Sequence, residues 1–449
     1  MKVTRFFAVL AAVTSLFALH AGAQGVAVHP QPAPAGASTP HQPTPEQIAK
    51  MPVTALPIKD FKLLSSGTGW ASTGARLFFT TDNGAHWKDI SPPNPNRDEL
   101  ASVFFNDADT GWVLVAHHIQ GDENPTPDSP DNDQTFYVSA TANGGTTWTS
   151  ENLPVWKGQH GLTDNGIIVF ADKLHGWISL DEARSMAFAS SVPLSTSDGG
   201  RTWNWARSGV AGSIDGILAV TDKDIWMIGR SGEDGGSQLG MSHDGGESYQ
   251  AVALPVPKEF AQFGYPEYSL PTFTDSLNGY EAVTYSDSEA SKSVAVLFAT
   301  QDGGRTWKQD RILTNLAESS VGSSIRSTVA GSTWIRSFAP HGSQPTLTKI
   351  LPKSGTTDGA NSPVNSYNCD LSFLTPSEGW MNCSGNLTST IDGGASWTTI
   401  TPRARNGVLT TDPVTPMPAT KPMSTLPPKL TDPKTVPTAA DTPSDSTQN

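Results

Sequence analysis

The chain is poor in cysteine, in charge and, beyond its first residues, in long apolar runs, and each shortage removes a class of protein. Its only cysteines are Cys369 and Cys383. Two thiols are too few for a four-thiolate metal site or for a small fold stapled by several disulfides. Charged residues make up 16% of the chain, and Asp plus Glu (43) outnumber Lys plus Arg (29), for a net charge of −14. Nucleic acid and anionic membranes are bound by clustered Lys and Arg, so neither is expected as a partner. After residue 23 no stretch approaches the roughly 18 apolar residues of a membrane span, so no transmembrane segment is expected in the mature chain. The G-x-S-x-G elbow, the H-E-x-x-H helix and the phosphate loop are missing too.

What is abundant points elsewhere. Gly (41), Pro (35) and Trp (13) suit many short strands, many turns and large aromatic anchors, an all-β composition. The N-terminus has its own pattern. Lys2 and Arg5 precede an apolar run over 6–19, and Ala21-Gly22-Ala23 fits a small-x-small cleavage site. Residues 1–23 are therefore expected to be a signal peptide, and the protein to be exported, periplasmic or extracellular. No Cys stands at the cleavage point, so no lipid anchor is indicated. Residues 24–51, with six prolines in 24–50, read as a linker. Residues 403–449 hold nine Pro and ten Thr and read as a disordered tail, because they have little to bury against chain entropy. The folded part is expected over 52–402.

One octapeptide recurs six times: TTDNGAHW (80–87), TANGGTTW (141–148), TSDGGRTW (196–203), SHDGGESY (242–249), TQDGGRTW (300–307) and TIDGGASW (390–397). An acidic or amide side chain heading a tight turn accepts backbone N–H groups, and Gly supplies the turn's positive φ. The closing aromatic starts the next strand. Asp82, Asn143, Asp198, Asp244, Asp302 and Asp392 are thus expected to be structural. A calcium loop would need further oxygen ligands at fixed spacing, which the octapeptide lacks.

A second landmark precedes each box: Gly69-Trp70, Gly111-Trp112, Gly176-Trp177, Ile225-Trp226, Gly279-Tyr280 and Gly379-Trp380. An apolar strand lies ahead of most of these, so one repeat is four strands, A to D, with the box between C and D. The box aromatics are 61, 55, 46, 58 and 90 residues apart. The last gap is nearly two repeats long. Within it, 323–339 looks like strands A and B with Trp334 in the landmark place, and 346–351 like strand C. The count becomes seven, and radially repeated four-stranded units give a seven-bladed β-propeller with six Asp boxes. In the last repeat, Cys369 and Cys383 fall on the two arms of a hairpin, where a disulfide closing about 15 residues would contribute roughly 3 kcal/mol.

Boxes combined with a Gly-Trp landmark resemble the photosystem II stability/assembly-factor-like propellers, a branch of the sialidase-type BNR-repeat superfamily. The resemblance covers about 60–402. It implies a seven-bladed propeller and a non-catalytic role in helping membrane complexes assemble. Sialidases share the box but resemble one another in an Arg triad, a Tyr/Glu pair, an Asp and an early Arg-Ile-Pro motif. Here the early region reads LPIKDF (56–61), and Arg201 and Arg305 lie inside boxes. Arg76, Arg97, Arg184 and Arg230 remain as loop arginines. Adjacent His117 and His118 would face opposite sides of a strand, a poor chelating arrangement.

Strand order sets the polarity of the ring. A–B and C–D turns share one face with the boxes; B–C and D–A connections share the other. The long insertions, 117–134, 151–165, 181–191, 230–237, 255–267 and 285–292, are of the second kind, so recognition is expected there. Candidates are Trp156 and His160 after blade two, and Glu259, Phe263, Tyr265, Glu267 and Tyr268 after blade four. Asp128, Asp131 and Asp133, in a loop that also holds Asp122 and Glu123, are weak calcium candidates; a solvated loop is the plainer reading. The expected function is an exported, monomeric, non-catalytic scaffold for a protein or peptide, with no cofactor. The alternative is a glycan-active enzyme, a glycoside hydrolase, or a lectin on the same fold.

Overall fold

The computed structural model describes residues 43–94, 96–117, 135–154, 162–185, 188–230, 236–261, 266–287, 292–313, 324–329, 332–337, 346–350, 357–363 and 369–412. Residues 1–42, which hold the expected signal peptide and most of the expected linker, and residues 413–449 lie outside the described residues. So do Trp156, His160, Phe263, Tyr265, Asp128, Asp131 and Asp133.

Seven antiparallel sheets follow one another along the chain, each built from consecutive strands in the order A–B–C–D. The A strands are Asp60–Ser65, Glu99–Phe105, Leu162–Phe170, Ser213–Ala219, the pair Glu267–Tyr268 and Thr272–Phe273, Ser324–Val329 and Cys369–Phe373. The B strands are Thr68–Ser72, Gly111–His117, Gly176–Ser185, Ile225–Arg230, Gly279–Asp287, Ser332–Ser337 and Gly379–Cys383. The C strands are Leu77–Thr80, Thr135–Thr141, Phe188–Thr196, Ser237–Ser242, Lys292–Thr300, Thr346–Ile350 and Asn386–Thr390. Outer D strands follow, most of them only two residues long, such as Lys88–Asp89 and Gln250–Ala251. The unboxed sixth blade expected from the long gap is present, with Trp334 fully buried. Cys369 and Cys383 stand opposite each other on strands A and B of blade seven and are disulfide-bonded.

The two sequence motifs are one structural unit. In every boxed blade the first Ser/Thr of the box pairs directly with the first landmark residue, as in Thr141 with Gly111 and Thr300 with Gly279. A Phe six residues upstream, on strand A, explains the landmark glycine. A Cβ on Gly111, Gly176, Gly279 or Gly379 would fall 2.4–2.7 Å from the ring of Phe105, Phe170, Phe273 or Phe373. The landmark Trp then reaches into the next blade. Trp112 Nε1 donates to Gly199 O in the box of blade three, and Trp334 Nε1 to Gly393 O in that of blade seven. Each buried indole removes about 150–250 Å² from water, or roughly 4–6 kcal/mol at the usual coefficient. The boxes therefore also receive the preceding blade.

Blade seven meets blade one by the same rule: Trp380 Nε1 donates to Asn83 Oδ1, and Trp87 Nε1 to Ile400 O. Among the described residues no blade strand is exchanged between the two ends. Instead a three-stranded clasp pairs Thr54–Ala55 with Arg403–Arg405, which turns back through Val408–Leu409. Ordered structure thus runs past residue 402. Its turn is Asn406-Gly407, both at positive φ (47° and 77°), the conformation a two-residue hairpin loop requires. Apart from the ring, a single helical turn, Pro45–Lys50, occurs in the expected linker. Thr44 Oγ1 accepts from Gln47 N while Gln47 Oε1 accepts from Thr44 N, a reciprocal cap with Pro45 in the first helical position.

Candidate functional site

The inner strands of blades one to five line one central channel of about 880 Å³. The A–B turns of the six boxed blades lie at one end of it, each tied to its own box: Gly144 N donates to Asp109 O and Gly303 N to Leu277 O, for example. The first residues of the A strands must therefore lie at the other end, with the B–C connections.

That end gathers acid. Asp60, Glu99, Asp164, Asp215, Glu267 and Asp370 are the first to third residues of the A strands of blades one to five and seven. Lys59 pairs with Glu99, and Arg230 with both Asp215 and Glu267. Behind them, the buried Asp98 carboxylate meets His117 Nδ1 at 2.8 Å and accepts from the Tyr137 hydroxyl at 3.4 Å. Glu182 accepts from Ser190 Oγ at 2.7 Å.

Asp60 and Lys62 sit on the channel wall, two residues apart on one face of their strand. Their side chains meet channel water but are enclosed by protein. That enclosure pushes the Asp60 carboxyl up to about 6; the Phe61 amide and Lys62 oppose the rise, and Asp370 adds to it. The same enclosure lowers the Lys62 ammonium from its usual value, against the pull of Asp60. Much of the rest of the wall is apolar: Leu64, Phe104, Ile167, Val169 and Leu270. An apolar cavity with a few converging perturbed groups has the make-up of a binding site.

Two expected insertions are not loops. Residues 181–191 and 285–292 extend the B–C hairpins of blades three and five, pairing out to Ser185 with Phe188 and to Asp287 with Lys292. Alternation such as FASSVPLST favours a continued ladder over a loop. Of the remaining candidates, Glu267 is at the channel mouth in its ion pair with Arg230. Glu259 is exposed on the turn Lys258–Phe260. Tyr268 packs into the seam between blades four and five. Arg76 is tied to Asp89 and Gly407 O, and Arg230 belongs to blade four, so these two do not form a clamp. Among the described residues no cluster of three or more metal-ligating side chains occurs, and no helix is long and apolar enough to cross a membrane. Nothing local marks Asp60 and Lys62, because the feature that distinguishes them, enclosure on a channel wall shared with other blades, is absent from a linear sequence.

The boxes behave as local turn chemistry. Asp302 Oδ1 accepts from Thr300 Oγ1 and Thr306 N, and Oδ2 accepts from Thr306 Oγ1. Such bonds hold Asp82, Asp198, Asp244, Asp302 and Asp392 at about 2, first through the hydroxyl of the residue four on or, for Asp82, the His86 amide. Asn143 makes the same pattern without charge, its Oδ1 accepting from Thr147 N and its Nδ2 donating to Thr147 Oγ1. A cavity of about 730 Å³ beside the blade-one box, lined by Trp87, Ile400 and Arg403, recurs at about 470 Å³ between blades four and five. Its recurrence marks it as a product of how boxes pack.

Seven consecutive four-stranded blades around one channel make this chain a β-propeller. It matches no family model and no curated protein sequence. Among solved structures it is similar to YCF48 bound to a D1 peptide (16% identity, 76% of this chain, 96% of that one, TM-score 0.46). It is also similar to the tricorn protease (11%, 78%, 36%, 0.47) and the Hadza microbial sialidase Hz136 (12%, 74%, 64%, 0.37).

Proposed function

We propose that this propeller is an exported, non-catalytic scaffold that holds a protein or peptide segment at the box-free end of its channel, in the manner of the assembly-factor-like propellers. The supporting observation is that six carboxylates stand at the box-free ends of the A strands around an apolar-walled channel that Asp60 lines, with the two long hairpins 176–196 and 279–300 at the same end. A rigid ring presenting an acidic rim suits a partner segment with basic and apolar side chains. The disulfide and the leader-like N-terminus support a site of action in an oxidising compartment.

The test uses the full chain, immobilised and exposed to envelope or culture-medium extract. Wild type is expected to retain a protein that the double variant Asp60→Asn/Glu267→Gln loses and the box variant Asp198→Asn keeps. Retention indifferent to the mouth variant overturns the reading.

A second reading, a glycan-cleaving enzyme or lectin, draws on one observation. Asp60 is a carboxyl held near neutrality with Asp370 close enough to add to its rise, and a raised acid beside a second carboxylate is the usual pairing for glycoside hydrolysis. A glycan array and a hydrolysis screen decide it. Turnover abolished by Asp60→Asn would establish the enzyme and end the scaffold reading.

A further inference from the structure

The residue after the landmark aromatic is Ala71, Val113, Ile178, Met227, Ile335 and Met381 in six blades, and Glu281 in blade five. Where burial is described, the apolar residues at this place are 0–6% exposed, and Glu281 is 1% exposed. A carboxyl has replaced a core side chain. Both its oxygens are buried without a hydrogen bond of ordinary geometry. It lies on the face of its strand that also carries Val283 and Tyr285, which pack with Leu254 from the connection out of blade four.

What stands in front of Glu281 is unusual as well. Blade five has the one A strand that is broken, into Glu267–Tyr268 and Thr272–Phe273. Register places the gap, 269–271, opposite Glu281, since Tyr268 pairs with Val283 and Thr272 with Tyr280. Pro271 has no N–H to give strand B, which accounts for the break. Leu270 and Pro271 line the channel, so this segment lies between Glu281 and the channel.

We propose that Glu281 is a pH-operated latch on the channel wall: as the neutral acid it lets residues 269–271 close over it, and on ionisation it draws water through that break and releases the segment into the channel.

Burial is the main force raising its carboxyl well above the ordinary range, and the Ser269 amide alone favours the charge. Among the described residues no cation offsets it. On the elements around it the titratable groups are Glu267 and Tyr268 in front, Tyr280 and Tyr285 on its own strand, Asp287 and Lys292 opposite each other in register at the far end of the hairpin, and Arg326 on strand A of blade six. Blade four offers Arg230, already bonded to Asp215 and Glu267, and the connection from it carries Lys258 and Glu259, both exposed. Closed and open states thus differ by one proton between the open-state value, near 4.5, and the raised closed-state value. In that window the open population rises about tenfold per pH unit. The latch belongs to the fold and stands whether or not the channel holds a partner.

Amide hydrogen exchange on the full chain tests it. Base catalysis alone raises exchange tenfold per pH unit. In wild type, amides of 268–274 are expected to gain about another tenfold per unit above pH 4.5, while strand A of blade two follows base catalysis alone. Glu281→Gln should remove the extra slope. If that variant fails to fold, Glu281→Met, which carries the residue found in blades four and seven, provides the flat reference. A wild-type slope no steeper than that of either variant overturns the proposal.

Discussion

Replacing Trp334 by Ala tests whether a landmark indole locks its own blade to the box of the next one. Blade six lacks a box, and its indole is fully buried, stacks on Phe373 at 3.7 Å and 15°, and donates to Gly393 O at 3.1 Å. Removing the ring takes away about 4–6 kcal/mol of burial, less some 10–40% already buried in the unfolded chain. It also leaves a buried carbonyl unpaired. The expected loss is about 3–5 kcal/mol, the usual cost of Trp→Ala in a core. At about 2.1 cal/mol/K per residue over about 350 residues, the unfolding entropy is roughly 0.7 kcal/mol/K, so Tm should fall by about 4–7 °C. Differential scanning calorimetry measures this directly. Trp205→Ala is the control: that indole is 45% exposed on an outer strand, and its loss should cost under about 1 kcal/mol. A Trp334→Ala protein melting within about 2 °C of wild type would refute the reasoning.

Three further outcomes are expected. Reducing the Cys369–Cys383 bond, which closes a separation of 14 residues, should cost about 3 kcal/mol in urea unfolding and leave the strand content, read by far-UV circular dichroism, unchanged. The five box aspartates are held at about 2 against an ordinary 3.8, so their stabilisation is complete above about pH 4 and lost as pH falls through about 2. Acid melts should show that loss, and changing all five to Asn, the residue blade two already uses, should flatten it; an unchanged acid limb counts against the box hydrogen bonds. Gly279→Ala should destabilise by more than 1 kcal/mol in chemical denaturation, because its Cβ would lie 2.7 Å from the Phe273 ring.

Most of the architecture was legible because it is repeated. The box is chemically self-contained: Thr300, Asp302, Gly304 and Thr306 satisfy one another within a single turn, so its geometry follows from spacing alone. Counting its copies, and noticing the double gap filled by Trp334, was enough for seven blades. The hairpin cysteines were readable for the same reason, since register across a short turn is local. The clasp was hidden by its neighbours. Residues 403–409 sit at the start of a Pro/Thr-rich stretch whose average composition masks one Asn-Gly hairpin turn.

The functional end was legible only in outline. Chain order alone put the boxes and the insertions at opposite ends of the channel. Which side chains meet there was decided by closure of the ring, because Asp60 and Asp370, 310 residues apart, become neighbours only when blade seven packs on blade one. Enclosure on the channel wall, not the local sequence, is then the main cause that shifts Asp60 and Lys62. Glu281 lies between these cases. Aligning the seven landmarks marks it as the one charged residue at an apolar place, a signal present in the sequence. That it lies behind a broken strand that lines the channel is a fact of the tertiary structure, because only packing brings Pro271 in front of it.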